Sequence, residues 1–329
     1  MTTYDGELLG RLTTAVVGRR RELEAIVASL GAGRHLLLEG PPGTGKSTVL
    51  RAVAEGSGTG FEFVEGNAEL TPARLLGAFD PSAVIEGGYR PEAFVDGPLL
   101  AALRDGSLLY VEELNRVPED TLNVLITVMS EGEVHVPRLG HVEAAPGFRL
   151  VAAMNPFDSI GTARIAAAVY DRCCRLSMGY QDSRDELAIV ERRTGAAAGR
   201  FGETATLSAV QMVRDSRSHH AVRTGSSVRG AIDLVLVADR LAELRGLKPW
   251  DPGVTLDAAL LALSGRLRLR EGNAASAEEI VEELWRRRFA PVGGADEPDA
   301  SQADAAGLAD DRAAQLGASA DDEPSPGKA

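Results

Sequence analysis

The sequence contains little cysteine and histidine and no long apolar run, and each shortage excludes a class of protein. Its two cysteines, Cys173 and Cys174, are adjacent and cannot form a disulfide framework. We expect a reducing cytosol, with both thiols buried as small apolar residues. The five histidines lack the spacing of zinc ligands. Because neither a signal peptide nor a membrane-spanning run is visible, we expect a cytoplasmic protein with no membrane insertion.

The balance of charge is acidic. The chain has 48 acidic and 35 basic residues, a formal net charge of -13, which disfavours nucleic acid or an acidic membrane as the main partner. Much of this charge lies in residues 293–329, where Ala, Asp, Gly, Pro and Ser dominate and Arg312 and Lys328 are the only basic residues. This composition predicts a disordered acidic tail. The length of 329 residues suggests two domains or one large one.

The most informative stretch is Gly40–Ser47, which has the phosphate-loop pattern G-x-x-x-x-G-K-[ST]. A predicted strand, residues 34–39, precedes it, and a predicted helix, residues 48–54, follows it. The glycines permit a backbone whose N–H groups turn inward as an anion nest at a helix N-terminus. We expect Lys46 to contact the β and γ phosphates and the Ser47 hydroxyl to bind Mg²⁺. The candidate phosphate-binding residues are Gly40, Pro41, Pro42, Gly43, Thr44, Gly45, Lys46, Ser47 and Thr48.

A phosphate loop needs a second, acidic strand end. The buried strand predicted at residues 108–111 ends in Glu112 and Glu113. We expect Glu112 to hold the magnesium shell and Glu113 to act as the base that orients the attacking water. Further strands are predicted at residues 61–65, 148–154 and 174–178. Their alternation with helices predicts a parallel five-stranded sheet.

The pattern changes after residue 182, where only helices are predicted. Ser183, Ser208 and Ser276 each precede an acidic residue or glutamine by three positions, as in capping boxes that open helices. The predicted organisation is an α/β nucleotide-binding domain (1–182), a small all-helical lid (183–292) and the acidic tail (293–329). The long segment 70–97 and a hairpin at residues 133–143 interrupt the first domain.

The order of these motifs resembles the MoxR branch of the AAA+ ATPases, in the clade that also contains magnesium-chelatase ATPase subunits. The resemblance spans about residues 17–240. It rests on five segments: Gly40–Ser47, Leu108–Arg116, Val151–Pro156, Gly161–Thr162 and Asp171–Arg172. It implies a P-loop AAA+ core with ATP and Mg²⁺ as cofactors.

The resemblance also implies roles for individual residues. Asn155 matches the sensor-1 residue that orients the attacking water, and Arg172 matches the arginine finger that reaches a neighbouring subunit's γ-phosphate. Arg229 matches sensor 2, with nearby Arg223 as the alternative. Val17 and Gly18 match the segment that lines the adenine pocket. Segment 70–97 and the hairpin resemble the helix-2 insert and pre-sensor-1 hairpin, which face the pore or a partner.

The sequence departs from the family pattern at two positions. Glu112 stands where the family usually has aspartate, and its extra methylene predicts slow hydrolysis because magnesium demands tight geometry. Cys173 replaces the aromatic residue that usually follows the Asp-Arg pair. The change at Cys173 affects local packing but not the role of Arg172 as the arginine finger.

The function implied by the resemblance is ATP hydrolysis by a homo-oligomeric ring, a hexamer, that remodels a partner protein. The partner would be a protein with a von Willebrand A domain or a client enzyme undergoing maturation or cofactor or metal insertion. Activase-type and gas-vesicle-type ATPases share this core and stay open as alternatives. A nucleic-acid motor would need a basic appended domain, which the sequence lacks. A weakly hydrolysing nucleotide switch is supported by Glu112 alone.

Overall fold

The computed structural model describes residues 4–156 and 167–289. The first part alternates helices and strands, in chain order: α1 (Gly6–Ala15), α2 (Arg20–Gly31), β1 (His35–Glu39), α3 (Lys46–Ser57), β2 (Phe61–Glu65), α4 (Pro72–Leu76), β3 (Gly77–Phe79), α5 (Pro81–Gly87), β4 (Phe94–Asp96), α6 (Pro98–Asp105), β5 (Leu108–Glu112), α7 (Glu119–Glu131), β6 (Glu133–Val136), β7 (Gly140–Glu143), β8 (Arg149–Met154), α8 (Ala167–Arg172) and β9 (Cys173–Ser177).

The later part is mainly helical. Its elements are α9 (Ser183–Thr194), α10 (Ala196–Phe201), α11 (Glu203–Ser218), β10 (Val222–Thr224), α12 (Val228–Arg245), α13 (Pro252–Leu263), β11 (Arg268–Leu269) and α14 (Ala277–Arg288). Within the described residues, no helix combines the length and apolar character needed to cross a membrane.

A five-stranded parallel sheet forms the centre of the first part, with the order β2-β5-β8-β1-β9. Its three central strands, β5, β8 and β1, are buried on both faces, as expected when helices cover each side. In β1, Leu37 packs into the core on one face, whereas Leu36 and Leu38 pack into the core on the other. The predicted fold class, a five-stranded P-loop α/β core, is therefore confirmed.

The prediction of helices alone after residue 182 was wrong in one detail. β10 and β11 pair as a small antiparallel sheet, with Val222 opposite Leu269. Strands of three and two residues carry no readable alternation, and their partners lie far apart in sequence. A separate apolar core lies among α9–α14. The domain limits at residues 182 and 292 stay predictions.

Two of the three predicted capping boxes are absent. Helix α9 is capped by Asp182, whose carboxylate accepts from the backbone N–H of Asp185 at 2.8 Å, so Ser183 is its first helical residue. Ser208 lies inside α11, which begins at Glu203. Ser276 forms the predicted box with Glu279. A serine three residues before an acid or amide also occurs inside helices, so the pattern alone overpredicts caps.

The expectation that both cysteines are buried was also wrong. Cys173 is half-buried, with its Sγ 3.5 Å from the Sδ of Met129 on α7, but Cys174 is exposed. Consecutive side chains of a strand point to opposite faces, and β9 is the edge strand of the sheet. Burial raises the pKa of Cys173 to about 12, so this thiol stays protonated at neutral pH.

The two interruptions of the first part contact each other. The segment between β2 and α6 contains the antiparallel pair β3–β4, and the predicted hairpin is β6–β7. Arg138, in the turn of that hairpin, lies over the ring of Tyr89 at 3.7 Å from its centroid. Tyr89 in turn packs edge-on against Phe79 of β3. The insert and the hairpin therefore form one continuous surface feature.

Candidate functional site

The loop between β1 and α3 has the geometry of a phosphate-binding loop. Gly43 and Gly45 have φ values of +76° and +87°, in the region that favours glycine. A Cβ at Gly40 would lie 2.0 Å from the carbonyl oxygen of Met178, and one at Gly43 would lie 2.3 Å from the Oγ of Ser227. The loop therefore needs glycine both for its turn and for close packing, and it leads directly into the N-terminus of α3.

Lys46 is the first residue of α3 and is only 7% exposed. Its Nζ donates to the carbonyl oxygens of Gly40 at 2.9 Å and Pro41 at 3.0 Å. Burial lowers the pKa of Lys46; the Glu112 carboxylate opposes this shift, and the Arg229 guanidinium adds to it. The ammonium thus lies inside the curve of the loop, where it can bind an anion that enters the loop.

Ser47 and Glu112 bring two hard oxygen donors together. The Ser47 hydroxyl lies 3.1 Å and 3.2 Å from the two carboxylate oxygens of Glu112, across from the loop at the end of β5. Mg²⁺ prefers such oxygens and usually completes its shell with water and substrate phosphates. The donor set therefore fits Mg²⁺. In the described ranges no group of three or more His, Cys, Asp or Glu residues is arranged to hold a metal by itself.

Tyr110 is a site residue that the sequence analysis missed. It is fully buried, and its hydroxyl lies 3.3 Å from the Ser47 Oγ. Burial raises the pKa of Tyr110, so the phenol stays neutral. Tyr110 and Glu112 are two positions apart on β5 and therefore share one face of the sheet. Its position two residues before Glu112 is the feature of the sequence that could have identified Tyr110.

Glu113 has an unusual backbone. Its φ of 53° and ψ of 43° place a non-glycine residue in the left-handed region, at a cost of about 1–3 kcal/mol. A Cβ at Gly66 would lie 2.4 Å from the Glu113 carbonyl oxygen, so glycine is needed beside it. The Glu113 carboxylate pairs with the Nη1 of Arg116 at 2.6 Å. The pair places the Glu113 carboxylate beside Arg116, which lines the cleft described next.

The loop, the end of β8 and the helical part surround one open cleft of about 930 Å³. Asn155, which follows β8, lines it together with Pro41 and Pro42. Four arginines also line the cleft: Arg116, Arg217, Arg223 and Arg268. Arg116 pairs with Glu113 and Arg217 pairs with Glu186, so part of this positive charge is balanced by nearby carboxylates. The structure brings Asn155 together with the loop, and its role as sensor 1 stays a prediction.

A second cavity of about 340 Å³ lies on the other side of the loop. Val17, Thr48 and Arg229 line it, together with loop residues 43–45. Arg229 therefore faces the loop across this cavity, whereas Arg223 lines the larger cleft. Gly18 lies against α9, because a Cβ there would lie 2.0 Å from the Oδ2 of Asp185.

Arg19, also missed in the sequence analysis, fixes the shape of the loop. It is 4% exposed, and its Nη2 donates to the carbonyl oxygens of Thr44 at 3.0 Å and Gly179 at 2.6 Å. Its Nη1 pairs with Glu22 at 2.5 Å. One buried guanidinium thus joins the phosphate loop to the connection between β9 and α9. Its position directly after the Val17–Gly18 pair was the only sequence signal.

Arg172 does not join the site within its own chain. It precedes β9, whose first residue pairs with His35 at the start of β1, whereas the loop follows the end of β1. The start of β1, beside Arg172, and the loop at its end are five strand residues apart, a distance of about 16 Å. An arginine side chain cannot span that distance. The guanidinium instead donates to Ser130 on α7 and to the Ala168 carbonyl oxygen at 3.0 Å. Gly161 and Thr162 lie outside the described residues.

Comparison with protein families and curated proteins agrees with this geometry. The AAA domain of the dynein-related subfamily matches residues 35–173. The chain is 28% identical to the uncharacterized protein YeaC of Bacillus subtilis, over 87% of this chain and 95% of YeaC. It is 30% identical to protein MoxR of Methylorubrum extorquens, over 60% of this chain. That alignment covers 54% of MoxR, so the chain matches about half of that relative.

Comparison with solved structures identifies the same fold. The chain is similar to the RuvB Holliday junction branch migration motor of Thermotoga maritima, with a TM-score of 0.51 and 15% sequence identity. The similarity covers 74% of this chain and 70% of RuvB. At this identity it shows a shared fold and nothing about the substrate.

Proposed function

Because the chain belongs to the MoxR family of AAA+ proteins, we propose that it hydrolyses ATP as a ring of identical subunits and thereby remodels a partner protein. The observation that carries the proposal is the convergence of Lys46, Ser47, Glu112 and Glu113 at one edge of the sheet. Lys46 lies within the loop, and Ser47 lies within hydrogen-bonding distance of Glu112. These are the groups that phosphoryl transfer to water requires.

Each group has a distinct task. The loop N–H groups and Lys46 hold the phosphates, and Ser47 and Glu112 would hold Mg²⁺, which would neutralise charge on the phosphate oxygens. Glu113 accepts a proton from the attacking water, and Asn155 orients that water from the next strand end. The second cavity, lined by Val17 and Arg229, takes the nucleoside. Arg229 lies on α12 and connects the bound nucleotide with the helical part.

The position of Arg172 supports assembly into a ring. About 16 Å of strand β1 lies between Arg172 and the loop of the same chain, so we propose that it completes a neighbour's site. A closed ring is the arrangement in which every subunit both provides and receives such a residue. We propose a homo-hexamer, as in relatives of this family. Its load is a partner protein, such as a von Willebrand A domain protein or an enzyme that undergoes maturation or cofactor or metal insertion.

One observation favours a second function, a nucleotide switch that hydrolyses slowly. Both carboxylate oxygens of Glu112 lie within hydrogen-bonding distance of Ser47, because the glutamate side chain spans the gap that a shorter aspartate would leave to water. This contact competes with magnesium for the same oxygens. A turnover far below that of the Glu112→Asp variant would support the switch.

Mixed rings test the proposed function. Lys46→Ala should abolish ATP binding, Glu113→Gln should bind ATP without turnover, and Arg172→Ala should bind ATP without turnover. Mixing Lys46→Ala subunits with Arg172→Ala subunits should restore part of the activity, because the first provides the arginine and the second the intact loop. Phosphate release and ATP binding are measured on the same samples. Retained ATP affinity in Lys46→Ala, or no restoration in mixed rings, would refute the assignment.

A further inference from the structure

Glu39, the last residue of β1, is a buried carboxylate with no role in the mechanism above. The residue is only 2% exposed. Its Oε1 accepts from the hydroxyl of Tyr170 at 3.0 Å, and its Oε2 accepts from the Nε of Arg175 at 2.6 Å. The Nη2 of Arg175 lies 2.5 Å from the same oxygen. Both carboxylate oxygens therefore have partners, and the guanidinium binds through two nitrogens.

These partners lie on either side of Arg172. Tyr170 is on α8 and Arg175 is on β9, so the carboxylate contacts the chain just before and just after the proposed arginine finger. Burial of a paired carboxylate contributes little net stability compared with an apolar side chain. Its directional hydrogen bonds instead fix geometry. The contact that we call the Glu39 clamp (Glu39, Tyr170 and Arg175) therefore sets the position of the segment that carries Arg172.

The clamp is also joined to the phosphate loop. Glu39 is followed directly by Gly40, whose carbonyl oxygen accepts a hydrogen bond from the Lys46 Nζ at 2.9 Å. A phosphate bound in the loop would compete for the protons of that ammonium. The Gly40 peptide therefore lies between the ligand and the Glu39 side chain. In the sequence, the clamp residue Glu39 and the first loop residue Gly40 are adjacent.

We propose that Glu39 is a positioning residue, which holds α8 and the start of β9 so that Arg172 is presented to the neighbouring subunit. This inference rests on the proposed function, because it requires that Arg172 act in trans. A positioning role for Glu39 and a purely structural role predict different results. The defect of a Glu39 variant should appear in the neighbour's active site.

Mixed rings separate the two roles. The donor subunit carries Lys46→Ala and provides Arg172; the acceptor carries Arg172→Ala and provides the loop. Adding Glu39→Gln to the donor replaces one carboxylate oxygen with an amide that faces the Arg175 guanidinium. We expect the restored turnover to fall at least tenfold further than when Glu39→Gln is added to the acceptor. The acceptor's affinity for ATP should not change when the donor is altered.

Two controls keep the test decisive. If Glu39→Gln does not fold, Tyr170→Phe and Arg175→Met break the clamp at side chains that are 43% and 59% exposed. Asp239→Asn breaks an equivalent two-nitrogen pair with Arg200 in the helical part and should leave the restored turnover unchanged. Ring assembly is checked by analytical ultracentrifugation.

The remaining outcomes overturn the inference. Equal losses from donor and acceptor substitution, a loss confined to the acceptor, or no loss would each show that Glu39 does not act through the neighbour's site. If the mixture without any Glu39 substitution regains no activity although the parent chain hydrolyses ATP, the trans role of Arg172 fails and the role of Glu39 fails with it. That result is distinguishable, because it is seen before Glu39 is changed.

Discussion

Protonation of His35 should weaken the strand that leads into the phosphate loop. The ring Nδ1 accepts a hydrogen bond from the backbone N–H of Leu150 at 2.9 Å, which joins β1 to β8. Burial, together with the positive charges of Arg149 and Arg34, lowers the pKa of His35 to about 4. The folded protein therefore holds this histidine neutral, whereas the unfolded chain takes up a proton near pH 6.5.

The sign and size of the effect follow from proton linkage. Below pH 6.5 the unfolded state binds a proton that the folded state does not, so stability falls as the pH decreases toward 4. At 1.36 kcal/mol per pKa unit, His35 accounts for a loss of about 2 kcal/mol between pH 7 and pH 4.5. The variant His35→Asn keeps an acceptor for Leu150 but cannot titrate. Its unfolding free energy should lack this part of the pH dependence.

The assay is urea unfolding followed by far-ultraviolet circular dichroism at pH 7 and pH 4.5. The difference between the parent and His35→Asn should grow by about 2 kcal/mol in favour of the variant at the lower pH. His220→Asn is the matched control, because that ring is exposed at the surface. Parallel pH dependence of the parent and His35→Asn would refute the reasoning.

Two further predictions concern the nucleotide site itself. Glu112→Asp should lower the Mg²⁺ concentration that gives half-maximal ATP turnover, because the shorter side chain frees its oxygens from Ser47; a higher Mg²⁺ requirement in a magnesium titration would contradict this. Arg19→Met should weaken ATP binding and reduce the free energy of unfolding by about 2–3 kcal/mol, because the carbonyl oxygens of Thr44 and Gly179 lose a charged donor. An ATP affinity equal to that of the parent, measured by calorimetry, would show that Arg19 does not shape the loop.

The parts of the site that depend on local sequence were predictable. The loop from Gly40 to Ser47 and the acidic end of β5 each carry their chemistry in consecutive residues, and strand burial on both faces shows as continuous apolar runs. Parallel strand ends meet at one edge of a sheet, so the proximity of Ser47 and Glu112 followed from the fold.

The parts that depend on contacts distant in sequence were not predictable. Arg19 meets Gly179 across 160 positions, and Glu39 meets Arg175 across 136. Each would be interpreted as an ordinary surface charge, since most such side chains are exposed. The β10–β11 pair was missed for the same reason. Caps were overpredicted because a spacing of three residues does not specify where a helix begins.

The contact between Gly43 and Ser227 places the phosphate loop directly against the start of α12. Ser227 is the N-cap of α12, and no side chain can be inserted between it and the loop. Helix α12 has 18 residues, a length of about 27 Å. A tilt of about 10° at the loop would therefore displace the far end of this lever by about 5 Å. At that far end lies Leu244, an apolar side chain that is 82% exposed, so such a tilt would displace an apolar group at the surface.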